Sequence, residues 1–136
     1  MYDNGDGVPQ NHDTAIKWYT LAAEQKHSRA QLRLGFMYQK GQGVPQDYKT
    51  AVKWFTLAAE QKHSVAQYAL GLMYDLGAGV PQDDVYAHMW FNFAASSGVN
   101  GAQQHMEKVA ERMTPTQIAE AQKLARECVD KEYKGC

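Results

Sequence analysis

The sequence predicts an all-α protein built from stacked helix-turn-helix repeats. The dipeptide Met-Tyr occurs at positions 1, 37 and 73, and Gly-Val-Pro-Gln follows it in the same register each time, at 7–10, 43–46 and 79–82. Each copy also carries apolar side chains at helical spacing. Because two short helices alone cannot bury their apolar faces, neighbouring copies have to stack into an α-solenoid.

One helix of each copy carries an apolar stripe. Its members in the middle copy lie at i, i+3, i+4, i+7 and i+8, and they are Ala51, Trp54, Phe55, Ala58 and Ala59. The predicted helix starts are short polar residues that can accept from free N–H groups, namely Asn11, Asp47 and Asp83. Gly98 suits a left-handed end of the third such helix. Lys26 and Lys62 hold that place in the other copies, where a left-handed conformation costs about 1 kcal/mol each.

The other helix of each copy is predicted to begin with a capping box. A serine or asparagine is followed three residues later by glutamine, at Ser28 and Gln31, Ser64 and Gln67, and Asn100 and Gln103. Such a pair can satisfy two free backbone donors of a helix start. Gly35 and Gly71 are small enough for close contact with a neighbouring helix. The loop at 41–45 has turn residues and a proline, which ends the helix.

The two ends of the chain are predicted to differ. Thr114, Pro115 and Gln117 form a strong helix start, and we interpret the helix that follows as a C-terminal cap. The predicted division is therefore repeats at 1–113 and a capping helix with its tail at 114–136. At the other end, Met1 and Tyr2 match the last turn of a helix, so we expect the first repeat to be truncated and its open face to pair with another copy or to fray.

Composition excludes several classes of function. A formal net charge of -1 and a pI near 6.5 leave no basic excess for binding phosphates, so nucleic acid is not an expected partner. No stretch reaches the ~18 apolar residues of a membrane helix, and no signal peptide is evident. The sequence does not decide the cellular location of the protein, although the periplasm or secretion is slightly favoured over the cytoplasm.

The repeated words A-x-x-x-L-G-x-x-Y, G-x-G-V-P-Q and A-x-x-W-(Y/F)-x-x-A-A resemble the Sel-one-like repeat family, a relative of the tetratricopeptide repeats. The closing stretch at 113–122 is also similar to the end helix of bacterial members. The resemblance implies a right-handed superhelix that serves as a scaffold or adaptor for protein interaction and binds a peptide or protein on its concave side. The alternative is a spacer or assembly module that stacks through its open N-terminal end. Family members usually have glycine at the positions of Lys26 and Lys62.

The tetratricopeptide layout, carried onto this chain, implies a set of concave-face residues. They are Arg29, Leu32, Phe36, Gln39, Val65, Tyr68, Leu72, Asp75, Gln104 and Lys108. Leu32, Phe36, Tyr68 and Leu72 would form an apolar strip suited to an extended peptide or an amphipathic helix. The other interpretation, equally open, is that these four side chains pack on the next repeat or on one another.

We interpret the remaining candidate functional residues as structural. The matched aromatic residues Tyr2, Tyr38, Tyr74, Trp18, Trp54 and Trp90 are expected in the core. The five histidines, His12, His27, His63, His88 and His105, are assigned to the loop surface, and no metal is expected. No nucleophile is aligned with a base, so neither an enzyme nor a cofactor is predicted. Cys128 and Cys136 could form a disulfide or stay reduced, and the sequence leaves both open.

Overall fold

The computed structural model describes residues 12–136 and folds them into seven α-helices, with no strand in that range. Their bounds are α1 His12–Glu24, α2 Ser28–Lys40, α3 Tyr48–Glu60, α4 Ser64–Leu76, α5 Asp84–Ser96, α6 Ala102–Glu111 and α7 Pro115–Asp130. From α1 to α6 each helix packs on the next one in the chain, and α7 packs on α5. The predicted all-α solenoid is confirmed, whereas the hand of its superhelix and the division at residue 113 stay predictions.

Part of the repeated pattern lies outside the described residues. The first Met-Tyr pair, the Gly-Val-Pro-Gln copy at 7–10 and the N-cap predicted at Asn11 all belong to the stretch before α1. The structural account of the repeat therefore rests on the copies that follow.

Three predicted helix starts are confirmed. Asp47 and Asp83 cap α3 and α5, and each side chain accepts a hydrogen bond from the backbone N–H three residues later, at 3.2 and 3.1 Å. At α7 the Thr114 hydroxyl accepts from the Gln117 N–H at 3.1 Å, and the Thr114 N–H donates to the Gln117 side chain at 2.9 Å. Pro115 is the first helical residue, where its missing N–H costs nothing.

The capping boxes predicted for α2, α4 and α6 are wrong, because no side chain caps these helices. In the first two, Gln31 and Gln67 are buried and turn backwards. Each Nε2 donates to the carbonyl oxygen eight residues earlier, at the end of the preceding helix, at 3.1 and 3.2 Å. Carbonyls at a helix end lack partners within the helix, and a buried amide needs hydrogen bonds. These carbonyl oxygens also accept from the Lys26 and Lys62 N–H groups, so the contact satisfies the buried amide and occupies a second lone pair of the carbonyl. A further hydrogen bond joins this pair to the next repeat, because Gln61 Nε2 donates to Gln31 Oε1 at 2.8 Å.

The lysines that replace glycine do adopt the left-handed conformation. Lys26 and Lys62 have φ of 68° and 67°. The N–H of each donates to the carbonyl three residues earlier, and the next N–H reaches back five residues, which is the pattern of a Schellman end. The turn is therefore the one glycine would make, at the steric cost of a Cβ.

Three clusters of buried side chains succeed one another along the solenoid. The first lies between α1 and α2, the middle one joins α3 and α4 to parts of α5 and α7, and the last joins α5, α6 and α7. Tyr38 packs between the first and middle clusters and Tyr74 between the middle and last. Both tyrosines are half-buried and pack against two clusters each, so they connect successive repeats from the edge of the core.

Glycine allows the two helices of a pair to approach closely. A Cβ on Gly35 of α2 would lie 2.4 Å from Phe55 Cε1 of α3, and one on Gly71 of α4 would lie 2.7 Å from Phe91 Cδ1 of α5. Both rings are fully buried, so they have little room to move. The close contacts expected from the sequence at both glycines are confirmed.

The matched tryptophans are buried to different degrees. Trp90 is 1% exposed, Trp54 is half-buried against the first cluster, and Trp18 is 59% exposed. The core prediction is therefore wrong at Trp18. The reason is the position of Trp18, because no described helix precedes α1 to cover this face.

No described helix is long and apolar enough to cross a membrane.

Candidate partner-binding face

The ten residues that the sequence marks for partner binding lie on three helices. α2 carries Arg29, Leu32, Phe36 and Gln39, α4 carries Val65, Tyr68, Leu72 and Asp75, and α6 carries Gln104 and Lys108. We call this set the α2–α4–α6 face.

The four apolar members of the face are half-buried. Leu32 and Phe36 pack against the middle cluster, and Tyr68 and Leu72 pack against the last one. Each side chain therefore supports the next repeat with part of its surface and leaves the rest accessible. The observation supports both interpretations of the strip, as a binding surface and as a packing surface, because each of the four side chains is partly packed and partly exposed.

The α2 end of the strip is held by neighbouring rings and a cation. The Phe36 ring meets the Phe55 ring edge-on, with centroids 5.2 Å apart, and Lys40 Nζ lies 5.6 Å above the Phe36 ring. Gln39 Nε2 is 3.9 Å from Met73 Sδ of α4. The contacts with Phe55 and Lys40 orient the Phe36 ring, and the Gln39 contact joins α2 to α4.

The α4 end of the strip is tied to α6. The Tyr68 ring lies 5.7 Å from the Phe91 ring and 5.4 Å from the His105 ring, measured between centroids. The Tyr68 hydroxyl is 2.9 Å from His105 Nδ1, which is also 2.9 Å from the Gly101 carbonyl oxygen. The Nδ1–H donor of one tautomer can reach the carbonyl. Tyr68 is therefore a connecting residue as well as a surface residue.

Asp75 is engaged by a residue that the sequence analysis did not single out. Arg112, just after α6, donates from Nη2 to Asp75 and from Nε to Asp84 Oδ1 at 2.9 Å. Hydrogen bonds to the two carboxylates raise the pKa of Arg112. The guanidinium joins the end of α4, the start of α5 and the end of α6. No sequence pattern points to this contact, because the partners are far apart in the chain.

The most exposed members of the face are polar or small. Arg29, Gln104 and Lys108 are exposed, and Val65 is 39% exposed. α2 adds Arg33 and Lys40 to Arg29 and contains no acidic residue. The face therefore has a half-buried apolar centre and a cationic margin at α2.

The surface role predicted for the histidines is wrong at two positions. His88 lies within α5 and is 7% exposed, and burial lowers its pKa. His105 lies within α6. His63, half-buried before α4, has its pKa lowered by burial and by the nearby charge of Arg29. His27 is exposed, and the side chain of His12 is outside the described part.

The described residues form no metal centre. Within residues 12–136 no group of three or more His, Cys, Asp or Glu side chains could hold a metal ion. Cys128 and Cys136 are joined by a disulfide, with their Cα atoms 5.6 Å apart. Of the two states that the sequence leaves open, the structure has the bonded one.

Two-helix units that stack through buried clusters, while their outward side chains differ from copy to copy, define an α-solenoid repeat protein. The family model described as Sel1 repeat matches residues 1–27, 28–63 and 64–99. The chain belongs to the Sel1 repeat family. Proteins of this family are generally scaffolds for protein interaction and are typically non-catalytic.

Solved structures that share this fold include two with repeats of the same kind. c5321, a protective antigen present in uropathogenic Escherichia coli strains and displaying an SLR fold, is 31% identical, with a TM-score of 0.83 over 90% of this chain. This chain spans 27% of that one. A Sel1 repeat protein from Oxalobacter formigenes is 43% identical, with a TM-score of 0.72 over 79% of this chain and 80% of its own. A search of curated proteins finds no match.

Proposed function

We propose that this protein is a non-catalytic adaptor that binds an extended peptide or an amphipathic helix on the α2–α4–α6 face. The observation that supports the proposal most directly is the arrangement of Leu32, Phe36, Tyr68 and Leu72. Equivalent positions of adjacent helices α2 and α4 hold these apolar side chains in fixed orientations, with part of each left accessible.

The proposed partner has apolar anchors at intervals that match the two helices. A peptide in such a groove derives affinity from a few side chains that fill pockets, and polar margins set its register. Arg29 and Lys108 stand at the margins of the face and are exposed. We expect bound peptides to place acidic residues near these two cations.

Substitutions that test the adaptor proposal must leave the packing of the core unchanged. Replacing Phe36 or Tyr68 would remove contacts with Phe55 and His105, so a loss of binding could come from damage to the fold. The exposed residues are better probes, and the test variant is Arg29→Glu, Val65→Asp, Lys108→Glu. A matched control makes the same kinds of change away from the face, as Lys17→Glu, Lys123→Glu and Val129→Asp.

The measurement uses a random peptide library displayed on phage. Peptides enriched on the original protein are synthesised, and their dissociation constants are measured by fluorescence anisotropy. We expect the face variant to weaken binding at least tenfold and the control variant to change it less than threefold. Equal binding by both variants, or a library that yields no enriched peptide, would contradict the adaptor proposal.

A second function is favoured by one specific observation. Trp18 and Leu21 of α1 are 59% and 61% exposed, whereas the residues that match Trp18 are half-buried at Trp54 and 1% exposed at Trp90. A self-assembly module would bury the α1 surface against a second copy. Sedimentation equilibrium over a hundredfold range of concentration tests this, with Trp18→Ser, Leu21→Ser as the variant and Leu76→Ser, at 73% exposed, as the control. A monomer at every concentration would refute it.

A further inference from the structure

The six residues after α7 fold back against the solenoid. The Tyr133 N–H donates to the Cys128 carbonyl oxygen at 2.8 Å, and the chain then runs to Cys136, whose sulfur bonds to that of Cys128. We call residues 131–136 the tail. It makes contacts with side chains of α3 and α5, far from it in sequence.

Tyr133 is the principal contact of the tail. Its ring meets the Phe93 ring of α5 edge-on, with centroids 5.0 Å apart, and Lys62 Nζ lies 5.7 Å above the Tyr133 ring. The Gly135 N–H donates to Glu60 Oε2 at the end of α3 at 2.9 Å, in an exposed position. The tail therefore bridges the ends of α3 and α5.

The backbone of the tail is strained. Glu132 and Tyr133 have φ of 56° and 67°, in the left-handed region that disfavours residues with a Cβ. Two successive residues of this kind persist only when other interactions hold them. The hydrogen bonds, the ring contact with Phe93 and the cation–π contact are non-covalent, and each contributes about 0.5–1.5 kcal/mol. The disulfide is thus the strongest restraint on the tail.

The two bonded cysteines differ in exposure. Cys128 is 2% exposed and belongs to the middle cluster, whereas Cys136 is half-buried. Both line a small open cleft together with Tyr86, Met89 and Leu124. An attacking thiolate in this cleft therefore reaches Cys136 Sγ more readily than Cys128 Sγ.

We propose that the tail is a redox-controlled latch, closed by the Cys128–Cys136 disulfide and opened by a dithiol reductant. A thiolate of the reductant bonds to Cys136 Sγ, the disulfide breaks, and Cys128 leaves as a thiolate that takes up a proton. The second thiol of the reductant then displaces Cys136 as a thiol. The protein gains two electrons and two protons, and the reductant becomes a disulfide.

Opening the latch has a defined structural result. The tail relaxes its left-handed residues and leaves Phe93, Lys62 and Glu60, so that the ends of α3 and α5 become accessible. Cys128 stays in the core as a thiol, and the helices keep their packing. This inference does not depend on the α2–α4–α6 face, which lies on other helices.

The experiment compares the oxidised and reduced forms of this 136-residue chain by hydrogen exchange and mass spectrometry. Oxidation uses glutathione disulfide, and reduction uses dithiothreitol under native conditions followed by alkylation of Cys136. We expect exchange of the Tyr133 and Gly135 amides to rise at least tenfold on reduction, while peptides from α3 to α6 change less than twofold. A disulfide that does not form, resists native reduction, or breaks without change in tail exchange would overturn the proposal.

Two variants separate the latch from a general loss of stability. Cys136→Ser should show the fast tail exchange without reductant and should not respond to dithiothreitol. Tyr133→Ala keeps the disulfide, so its oxidised tail should exchange less than threefold faster than that of the original protein. Loss of protection throughout α5 and α7 in Cys136→Ser, or a fully released tail in oxidised Tyr133→Ala, would show that the disulfide is not the latch.

Discussion

At the scale of single residues, Lys26 offers the simplest test of backbone strain. Its left-handed conformation disfavours any side chain with a Cβ, and its side chain is exposed. We expect Lys26→Gly to raise the free energy of unfolding by about 0.5–1 kcal/mol, since relief of strain exceeds the added flexibility of the unfolded chain. Urea denaturation measures the change. Lys26→Ala is the control and should give no gain, and equal stabilisation by alanine would refute the explanation.

The equivalent Lys62 should respond less to the same change. Its ammonium group lies over the Tyr133 ring, so glycine relieves strain but also removes a favourable contact. The comparison of the two lysines separates a backbone effect, common to both, from a side-chain effect at one.

His88 makes stability depend on pH. Burial lowers its pKa below the ordinary value of 6.5, so the folded state disfavours the proton that the unfolded state accepts. The contribution of His88 to the free energy of unfolding should therefore be constant above about pH 7.5 and should fall as the pH drops through 6.5. We expect His88→Val, the residue at the matching position 52, to reduce this loss between pH 7.5 and 5.5.

The measurement for His88 is urea denaturation at the two pH values. A smaller residual slope should remain in His88→Val because His63 also has a lowered pKa. Gln122→Val, at an exposed helical position without a titratable group, serves as the control and should leave the slope unchanged. An unaltered slope in His88→Val would show that another group controls the pH dependence.

At the scale of helices, the contact between α2 and α3 depends on Gly35. Alanine favours a helix over glycine by about 1 kcal/mol, but its Cβ would lie 2.4 Å from a buried Phe55 carbon. Overpacking of this kind costs about 1–3 kcal/mol. We expect Gly35→Ala to lower the free energy of unfolding by a net of up to about 2 kcal/mol, the difference of those two terms, and Gly71→Ala to cost less, since its clash at 2.7 Å is milder.

A double variant tests whether the Phe55 ring is the cause of the destabilisation by Gly35→Ala, and chemical denaturation measures the free energies of unfolding. Phe55→Leu makes room beside Gly35, so adding Gly35→Ala to Phe55→Leu should cost less than adding it to the original protein. Strictly additive effects would mean that the ring of Phe55 is not what excludes a side chain at this position.

The helices were predictable from sequence because their determinants are local. Aspartate caps at 47 and 83, the Thr114 box and the apolar stripe of α3 each depend on residues within a few positions of one another. The Gln31 hydrogen bonds were not predictable in the same way. A glutamine three residues after a serine can either complete a capping box or bury its amide against the preceding helix. The packing of the two helices decides between these arrangements, and here Gln31 bonds to the preceding helix.

The candidate site was less predictable than the fold. The positions of Leu32, Phe36, Tyr68 and Leu72 on α2 and α4 follow from the repeat, but their exposed fraction depends on how closely the next repeat packs. Arg112 binds Asp75 across three helices, and no spacing in the sequence encodes such a contact. Long-range pairs of this kind need the three-dimensional arrangement.

At the scale of the whole molecule, the three tryptophans report how a solenoid distributes its stability. In a linear stack each repeat is stabilised by its own helices and by its immediate neighbours. Trp90 has helices on both sides, Trp54 is half-buried, and Trp18 lies on α1, the first described helix, with more than half of its surface exposed. One residue type in one template position therefore meets three environments.

We expect alanine at these positions to destabilise in the order Trp18, Trp54, Trp90. Trp90→Ala leaves a cavity in the middle cluster and should cost about 3–5 kcal/mol, Trp18→Ala should cost no more than about 0.5 kcal/mol, and Trp54→Ala should lie between. Circular dichroism in urea gives these values without relying on tryptophan fluorescence. If Trp18→Ala costs as much as Trp90→Ala, the surface of α1 is covered in solution, and the same samples examined by sedimentation would show whether a second copy covers it.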